Sequence, residues 1–430
     1  MYQLRLEQAS VPAQTDQGLL ELSVGDLLRR AATQSPQGVA LKEVTLEGDL
    51  GRQWSWSELL QHAEDLARAL LQQHEPGDRI CVWAPNLPEW IMLEMGAALA
   101  GLVLVTANPA FQARELRYVL EQSGSKALYC VEAFRGNPMG QIARAVCAEL
   151  DQPIPVLDLL GMDRLGSAEG GKPLPQVRPE DPIQIQYTSG TTGFPKGAVL
   201  RHLGLVNNSH FYASRCDFHH GDTLLAFMPL FHTGGCSLSV LGAVGRAATI
   251  ILCPLFEPAL MNRLVEAEKV THFMGVPTML VGMLESLEQE PRDMGSVRAV
   301  VAGGSMVAPE LVRRARERFG VGLQIVYGQT ETSPVVTMVY ADDSVEDASG
   351  TVGQVLPQTE ISIRDPDSGA VLAVDQVGEI CARGYMVMQG YHQNPEATAK
   401  TIDAEGWLHT GDLGTMDAQG FVRVTGRVKD

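Results

Sequence analysis

Apolar and polar positions along this chain alternate between helical spacing and strand-like runs. Apolar residues recur at helical spacing from Trp56 to Gln73, which predicts a helix, and the run Arg79-Ile80-Cys81-Val82-Trp83 predicts a strand. A helix over Glu89 to Ala100 and a strand over Val103-Leu104-Val105 follow. The alternation returns at Leu224 to Phe227, Ala248 to Leu252, Pro258 to Lys269, Thr271 to Gly275 and Val297 to Ala302. This layering predicts doubly wound α/β sheets that hold ligands at the carboxyl ends of their strands. Gly161 to Val177, rich in Gly, Pro and charge, reads as a linker. Beyond about Val335 the texture changes. Ile361 to Arg364, Gly378 to Arg383 and Phe421 to Val424 alternate apolar with polar residues, and Asp365-Pro366-Asp367-Ser368-Gly369 reads as a hairpin turn. The expected organisation is an α/β subdomain over 1–175, a second over 176–335 and a smaller β-rich subdomain over 336–425. No internal repeat or low-complexity tract interrupts it.

Composition narrows the classes. With 430 residues, 45% of them hydrophobic and 20% charged, the chain has room for about three domain-sized units and a large buried core. A net charge of −18 argues against binding nucleic acid or an anionic membrane surface. Seven cysteines, odd in number and without a C-x-x-C pair, point to reduced thiols in a cytoplasmic protein and away from zinc. The N-terminal residues show no signal-peptide core. Two long apolar stretches, Trp90 to Val105 and Leu238 to Phe256, carry Glu94 and Arg246 and several glycines. They are expected to be buried helix-to-strand segments, and an integral membrane protein is not expected.

The most informative stretch follows the alternating segment Ile183 to Tyr187. Thr188-Ser189-Gly190-Thr191-Thr192-Gly193-Phe194-Pro195-Lys196-Gly197 combines hydroxyls, glycines and one lysine. Glycines let successive backbone N–H groups approach anionic oxygens, hydroxyls add donors, and Lys196 adds a charge, so the expected ligand is a nucleotide phosphate. The pattern G-x-x-x-x-G-K-[ST] is not met, because Pro195 stands where its second glycine would be and Gly197 follows the lysine. Most Thr/Ser/Gly/Pro clusters after a strand are only turns; the unbroken hydroxyls and the Pro-Lys-Gly ending weigh against that here.

Tyr187 to Ala198 resembles the signature loop of the acyl-adenylate-forming superfamily, which includes acyl-CoA synthetases, luciferases and peptide-synthetase adenylation domains. Tyr327-Gly328-Gln329-Thr330-Glu331, Trp407-Leu408-His409-Thr410-Gly411-Asp412 and Gly426-Arg427-Val428-Lys429-Asp430 agree in order and spacing. Asn86-Leu87-Pro88-Glu89-Trp90 and Ala107-Asn108-Pro109-Ala110 are similar to the acyl-CoA synthetase branch. The resemblance implies that Thr188, Ser189, Gly190, Thr191, Thr192, Gly193 and Lys196 hold ATP phosphates. Gly303, Gly304 and Ser305 would border adenine, Tyr327 would stack on it with Gly328 beside it, and Asp412 and Arg427 would hold the ribose. Thr330 would contact phosphate and Glu331 would bind Mg²⁺, a hard cation that takes one or two carboxylates beside phosphate oxygens. Taken singly, Tyr327 would be a core residue, Glu331 a surface charge and Asp412 a turn residue.

Pro229 to Gly235 resembles the segment that lines the acyl pocket. By the same resemblance His232, Thr233, Gly234, Cys236, Val276, Gln329, Val335 and Val336 would line it, with His232 positioning the carboxylate; outside the motif His232 would be a core histidine. The β-rich part is expected to be a distorted barrel. The implied chemistry is ATP-dependent formation of an acyl-AMP from a small-molecule carboxylic acid, of fatty or other apolar type, and transfer of the acyl group to coenzyme A. Lys196, Thr330, Glu331 and His232 are its expected catalytic residues. An adenylation domain serving a carrier protein and a nucleotide-binding module without turnover remain the alternatives, and the oligomeric state, a homodimer included, is open. Family members continue past the motif at 426–430 with a C-terminal domain of roughly a hundred residues, which rotates about the residue matching Asp430 and brings a catalytic lysine. The sequence stops there, so as written it is expected to adenylate poorly.

Overall fold

The structure, a computed structural model, describes residues 1–165, 173–188 and 195–428. Local signals set the helix ends. In the helix Trp56–Leu70, Ser55 Oγ accepts from the Glu58 N–H while the Glu58 carboxylate accepts from the Ser55 N–H, a reciprocal cap that satisfies two otherwise orphaned donors. The helix stops at Leu70, short of the predicted Gln73, where a turn takes over.

Among the described residues the strands form three sheets. In the seven-stranded sheet Pro182–Thr188, Val103–Ala107, Arg79–Trp83, Leu128–Cys130 and Val156–Asp158 run parallel, and Lys196–Arg201 and then Gly390–Tyr391 complete one side antiparallel. In the nine-stranded sheet the parallel neighbours are, in order, Leu323–Gly328, Ala299–Ala302, His272–Gly275, Thr223–Ala226, Thr249–Leu252 and Val39–Val44. Leu50–Ser55 closes one end of it antiparallel, and Val335–Met338 with Gln354–Val355 the other. Strands from the first 175 residues therefore enter both α/β sheets. The third sheet is antiparallel, in the order Ser10–Val11, Thr359–Arg364, Gly378–Gly384, Leu408–Met416, Val422–Arg427. It is open: the expected barrel is not closed among the described residues.

Both long apolar stretches are helix-to-strand units. Pro88–Ala100 is buried all round, ends at Gly101 in the left-handed region and leads into the buried strand Val103–Ala107. The second passes from the π-helix Gly234–Leu241 to Thr249–Leu252. No helix among the described residues is long and apolar enough to cross a membrane. A single apolar cluster runs from Trp56, Trp83 and Trp90 through Leu238 to Ile380, so the three sheets share one core, with a second cluster around Phe227, Phe273 and Phe319.

Candidate active site

The strand order lines up most of the predicted segments. Leu323–Gly328, Ala299–Ala302, His272–Gly275 and Thr223–Ala226 are adjacent and parallel, so Tyr327-Gly328, Gly303-Gly304-Ser305, Val276 and the run from Phe227 to Gly235 leave the same end of the sheet, about 4.8 Å apart. Gly304 has φ 84°, a conformation that disfavours any side chain, and Gly304 and Ser305 are exposed. A Cβ placed on Gly303 would lie 3.3 Å from Met274 Cε, and one on Gly234 3.8 Å from the same atom. Met274 thus lies between Gly303 and Gly234, a position that periodicity does not disclose.

Tyr327, Asp412 and Arg427 come together. Tyr327 Oη donates to Asp412 Oδ2 at 3.0 Å, and Arg427 Nε lies 3.2 Å from Asp412 Oδ1. Burial, reinforced by the Asp412 charge, pushes the Tyr327 phenol well above its ordinary range, so it remains a donor. The Thr-Gly-Asp turn is a bulge: Cys381 pairs with His409 and Glu379 with Leu413, leaving Thr410, Gly411 and Asp412 opposite Ile380 alone. Gly411, at φ 75°, permits the turn. The Glu379 carboxylate fills it, accepting from the Gly411 N–H at 3.0 Å and facing His409 Nδ1 at 2.8 Å, while Thr410 Oγ1 donates to Ile380 O and accepts from the Asp412 N–H. Glu379 carries no sequence signal of this role, and His409, although it stands in the motif Trp407 to Asp412, has no role implied by the resemblance.

The second constellation surrounds Glu331. Thr330, Glu331 and Thr332 form a buried one-turn helix after Gln329. Tyr391 Oη donates to Glu331 Oε1 at 2.6 Å, and Lys196 Nζ lies 4.7 Å from the centre of the same ring. Lys196 stands opposite Thr188, whose hydroxyl reaches Lys196 O at 3.4 Å, and Tyr118 Oη donates to Pro195 O at 2.8 Å, anchoring the loop's exit. Ser189, Gly190, Thr191, Thr192 and Gly193 of the predicted phosphate loop, and Asp430, lie outside the described residues.

The acyl-pocket candidates divide. His232 reaches solvent, although the protein packed around it holds its imidazole below the ordinary range, and its Nδ1 accepts from the Gly234 N–H at 3.3 Å. Thr233 and Gly234 are buried beside it. Cys236 is buried against Gln186 and Gln184, the latter bonded to Glu94, on the side of the seven-stranded sheet. Val335 is held by Asn208, which exchanges hydrogen bonds with its N–H and C=O at 3.0 and 2.7 Å; Val336 is buried next to it, and Val276 and Gln329 are half-buried.

Loops gathered at the carboxyl ends of adjacent parallel strands are where open α/β sheets bind ligands. The chain belongs to the AMP-binding enzyme family, whose sequence pattern matches residues 28–392. Among its relatives, the mitochondrial medium-chain acyl-CoA ligase ACSF2 of Rattus norvegicus is 34% identical over 456 residues, covering 98% of this chain and 73% of its own. The inhibitor-bound N-terminal domain of FACL13 from Mycobacterium tuberculosis superposes with a TM-score of 0.86 at 28% identity, covering 95% of this chain and 100% of that one. ATP-bound MatB from Rhodopseudomonas palustris does so with a TM-score of 0.84 at 27% identity, covering 95% and 80%.

Proposed function

We propose that this chain supplies the acid and nucleotide sites for activating a medium-chain or similarly apolar carboxylic acid with ATP, giving acyl-AMP and pyrophosphate, and for passing the acyl group to the thiol of coenzyme A with release of AMP. The observation that carries the reading is Asp412, held by Tyr327 and Arg427 at the sheet end that also presents Gly303-Gly304 and the His232 segment. The ligase name of the rat relative supports the acid class and the acceptor.

Asp412 and Arg427 present an acceptor and a donor suited to ribose hydroxyls, and the ring of Tyr327 offers adenine a flat apolar face. The acid's carboxylate oxygen attacks the α-phosphorus and pyrophosphate departs with its bonding electrons. The catalytic contribution is positioning and neutralisation of charge, which for phosphoryl-type transfer leaves little covalent work to side chains. Lys196 supplies a positive charge at the exit of the phosphate loop. Glu331 fits a hard divalent cation: it is a carboxylate with one oxygen held by Tyr391 and, among the described residues, no paired cationic side chain. Mg²⁺ there would neutralise phosphate charge.

A nonhydrolysable acyl-adenylate mimic bearing a medium-chain acyl group should bind about a hundredfold or more tighter than AMP. Equal affinity for the two would remove the acyl site from this reading. Acid-dependent ATP–pyrophosphate exchange reads the first half-reaction, and AMP release on addition of coenzyme A reads the second.

A further inference from the structure

The strand Gly390–Tyr391 is two residues long, yet it is fixed on both flanks. It pairs antiparallel with Lys196–Arg201, Tyr391 opposite Ala198, and hydrogen bonds from Gln389 N–H to Val199 O and from His392 N–H to Gly197 O extend the ladder at 2.9 and 2.7 Å. On the other side the Tyr391 N–H donates to Thr398 Oγ1 at 2.9 Å, from the helix Pro395–Thr401. The backbone of Tyr391 is therefore bound to the very strand that begins with Lys196. Its side chain is buried, as is Glu331, and Tyr391 Oη donates to Glu331 Oε1 at 2.6 Å, while the nearby Met388 N–H donates to the Glu331 carbonyl at 2.9 Å. The face of the same ring takes the Lys196 ammonium at 4.7 Å.

The geometry points to Tyr391 as a positioning residue that sets the Glu331 carboxylate and the Lys196 ammonium relative to one another. The phenol occupies one carboxylate oxygen and leaves the other for a hard cation. The ring quadrupole holds a long, flexible lysine over a surface built into the neighbouring strand. The inference rests on the proposed roles of Glu331 toward Mg²⁺ and of Lys196 toward the polyphosphate, and adds that one side chain governs both.

Phenylalanine separates the two arms, because it keeps the ring over Lys196 and removes the donor to Glu331. Calorimetric ATP binding across a Mg²⁺ titration, and AMP binding without metal, are to be compared in the wild type, Tyr391→Phe, Tyr391→Leu and Glu331→Gln, each checked by its unfolding midpoint. Tyr391→Phe should raise the Mg²⁺ concentration for half-maximal ATP binding about tenfold, the scale on which residues that orient metal ligands act, with AMP affinity unchanged. Tyr391→Leu should in addition weaken ATP binding in the absence of metal. A Tyr391→Phe variant that follows the wild-type Mg²⁺ curve while Glu331→Gln departs from it overturns the inference, as does a parallel loss of AMP binding in Tyr391→Phe. A Glu331→Gln variant with the wild-type Mg²⁺ curve removes the proposed metal role of Glu331 itself and the coupling with it.

Discussion

Tyr327 and Asp412, 85 positions apart, are joined by a 3.0 Å hydrogen bond that links the nine-stranded α/β sheet to the open antiparallel sheet. Asp412 also stands directly opposite Arg427 in the ladder of the antiparallel sheet, so Tyr327 and Arg427 converge from two sheets on one carboxylate.

Asp412→Ala removes that carboxylate. Hydrogen bonds to a charged group are worth about 1.5–3 kcal/mol, so AMP should bind at least about tenfold more weakly. Calorimetry on the folded variant is the measurement, and an unchanged dissociation constant would count against Asp412 as a ribose ligand.

Glu379→Ala tests how the Thr410–Asp412 bulge is held. It strips the Gly411 N–H of its acceptor and His409 Nδ1 of its nearest partner, leaving Asp403 beside Nε2, at a cost to folding of about 1–3 kcal/mol. Weaker AMP binding should accompany the lower unfolding midpoint. A variant with a lowered midpoint and wild-type affinity would show that the bulge does not need Glu379 to present Asp412.

Met274→Ala opens space between Gly234 and Gly303. If the acyl group enters there, acyl-adenylate mimics with longer chains should gain affinity relative to shorter ones, by about 0.8 kcal/mol for each methylene newly buried. An identical chain-length ranking in the variant and the wild type would place the acyl group elsewhere.

Glu94 sets a pH dependence of stability. Burial raises its carboxyl from 4.5 to about 8, against the opposing hydrogen bonds from Gln184 and Cys236. Between those values the folded chain holds a proton that the unfolded chain has lost, so this contribution is complete below about pH 4.5 and disappears as the pH rises towards 8. Glu94→Gln copies the protonated shape with no proton to lose. Its advantage over the wild type in denaturant unfolding should be near zero at pH 4.5 and on the order of 3 kcal/mol at pH 7; a difference that does not vary with pH would refute the assignment.

Much of the fold was legible because its signals are local. Strands such as Arg79–Trp83 and His272–Gly275 fall within a residue or so of the runs of apolar and β-branched positions, and Asp365 to Gly369 forms its turn with the Gly369 N–H on Asp365 O. Sheet membership was not legible, since pairing of Leu41 with Ile250 or of Tyr391 with Ala198 leaves no periodic trace. The same holds for the site. Tyr327, Asp412 and Arg427 sit in short motifs, whereas Tyr391, Glu379 and Met274 act through neighbours far away in sequence. Gly390-Tyr391 before Asn394-Pro395 marks a turn into a capped helix, which locates Tyr391 without revealing that it faces Glu331.

The place of the hairpin Val39–Val44/Leu50–Ser55 at one end of the nine-stranded sheet has a consequence for biosynthesis. Among the described residues its only sheet partner beyond itself is Thr249–Leu252, which a ribosome adding about 5–20 residues per second delivers about 10–40 s later. A lone two-stranded hairpin is marginal in water, so the newborn chain carries an unfinished sheet through much of its synthesis. Arg52, exposed on the edge strand Leu50–Ser55 and paired with Glu43 and Glu89, places a charge on that edge, a feature that disfavours pairing with a further strand.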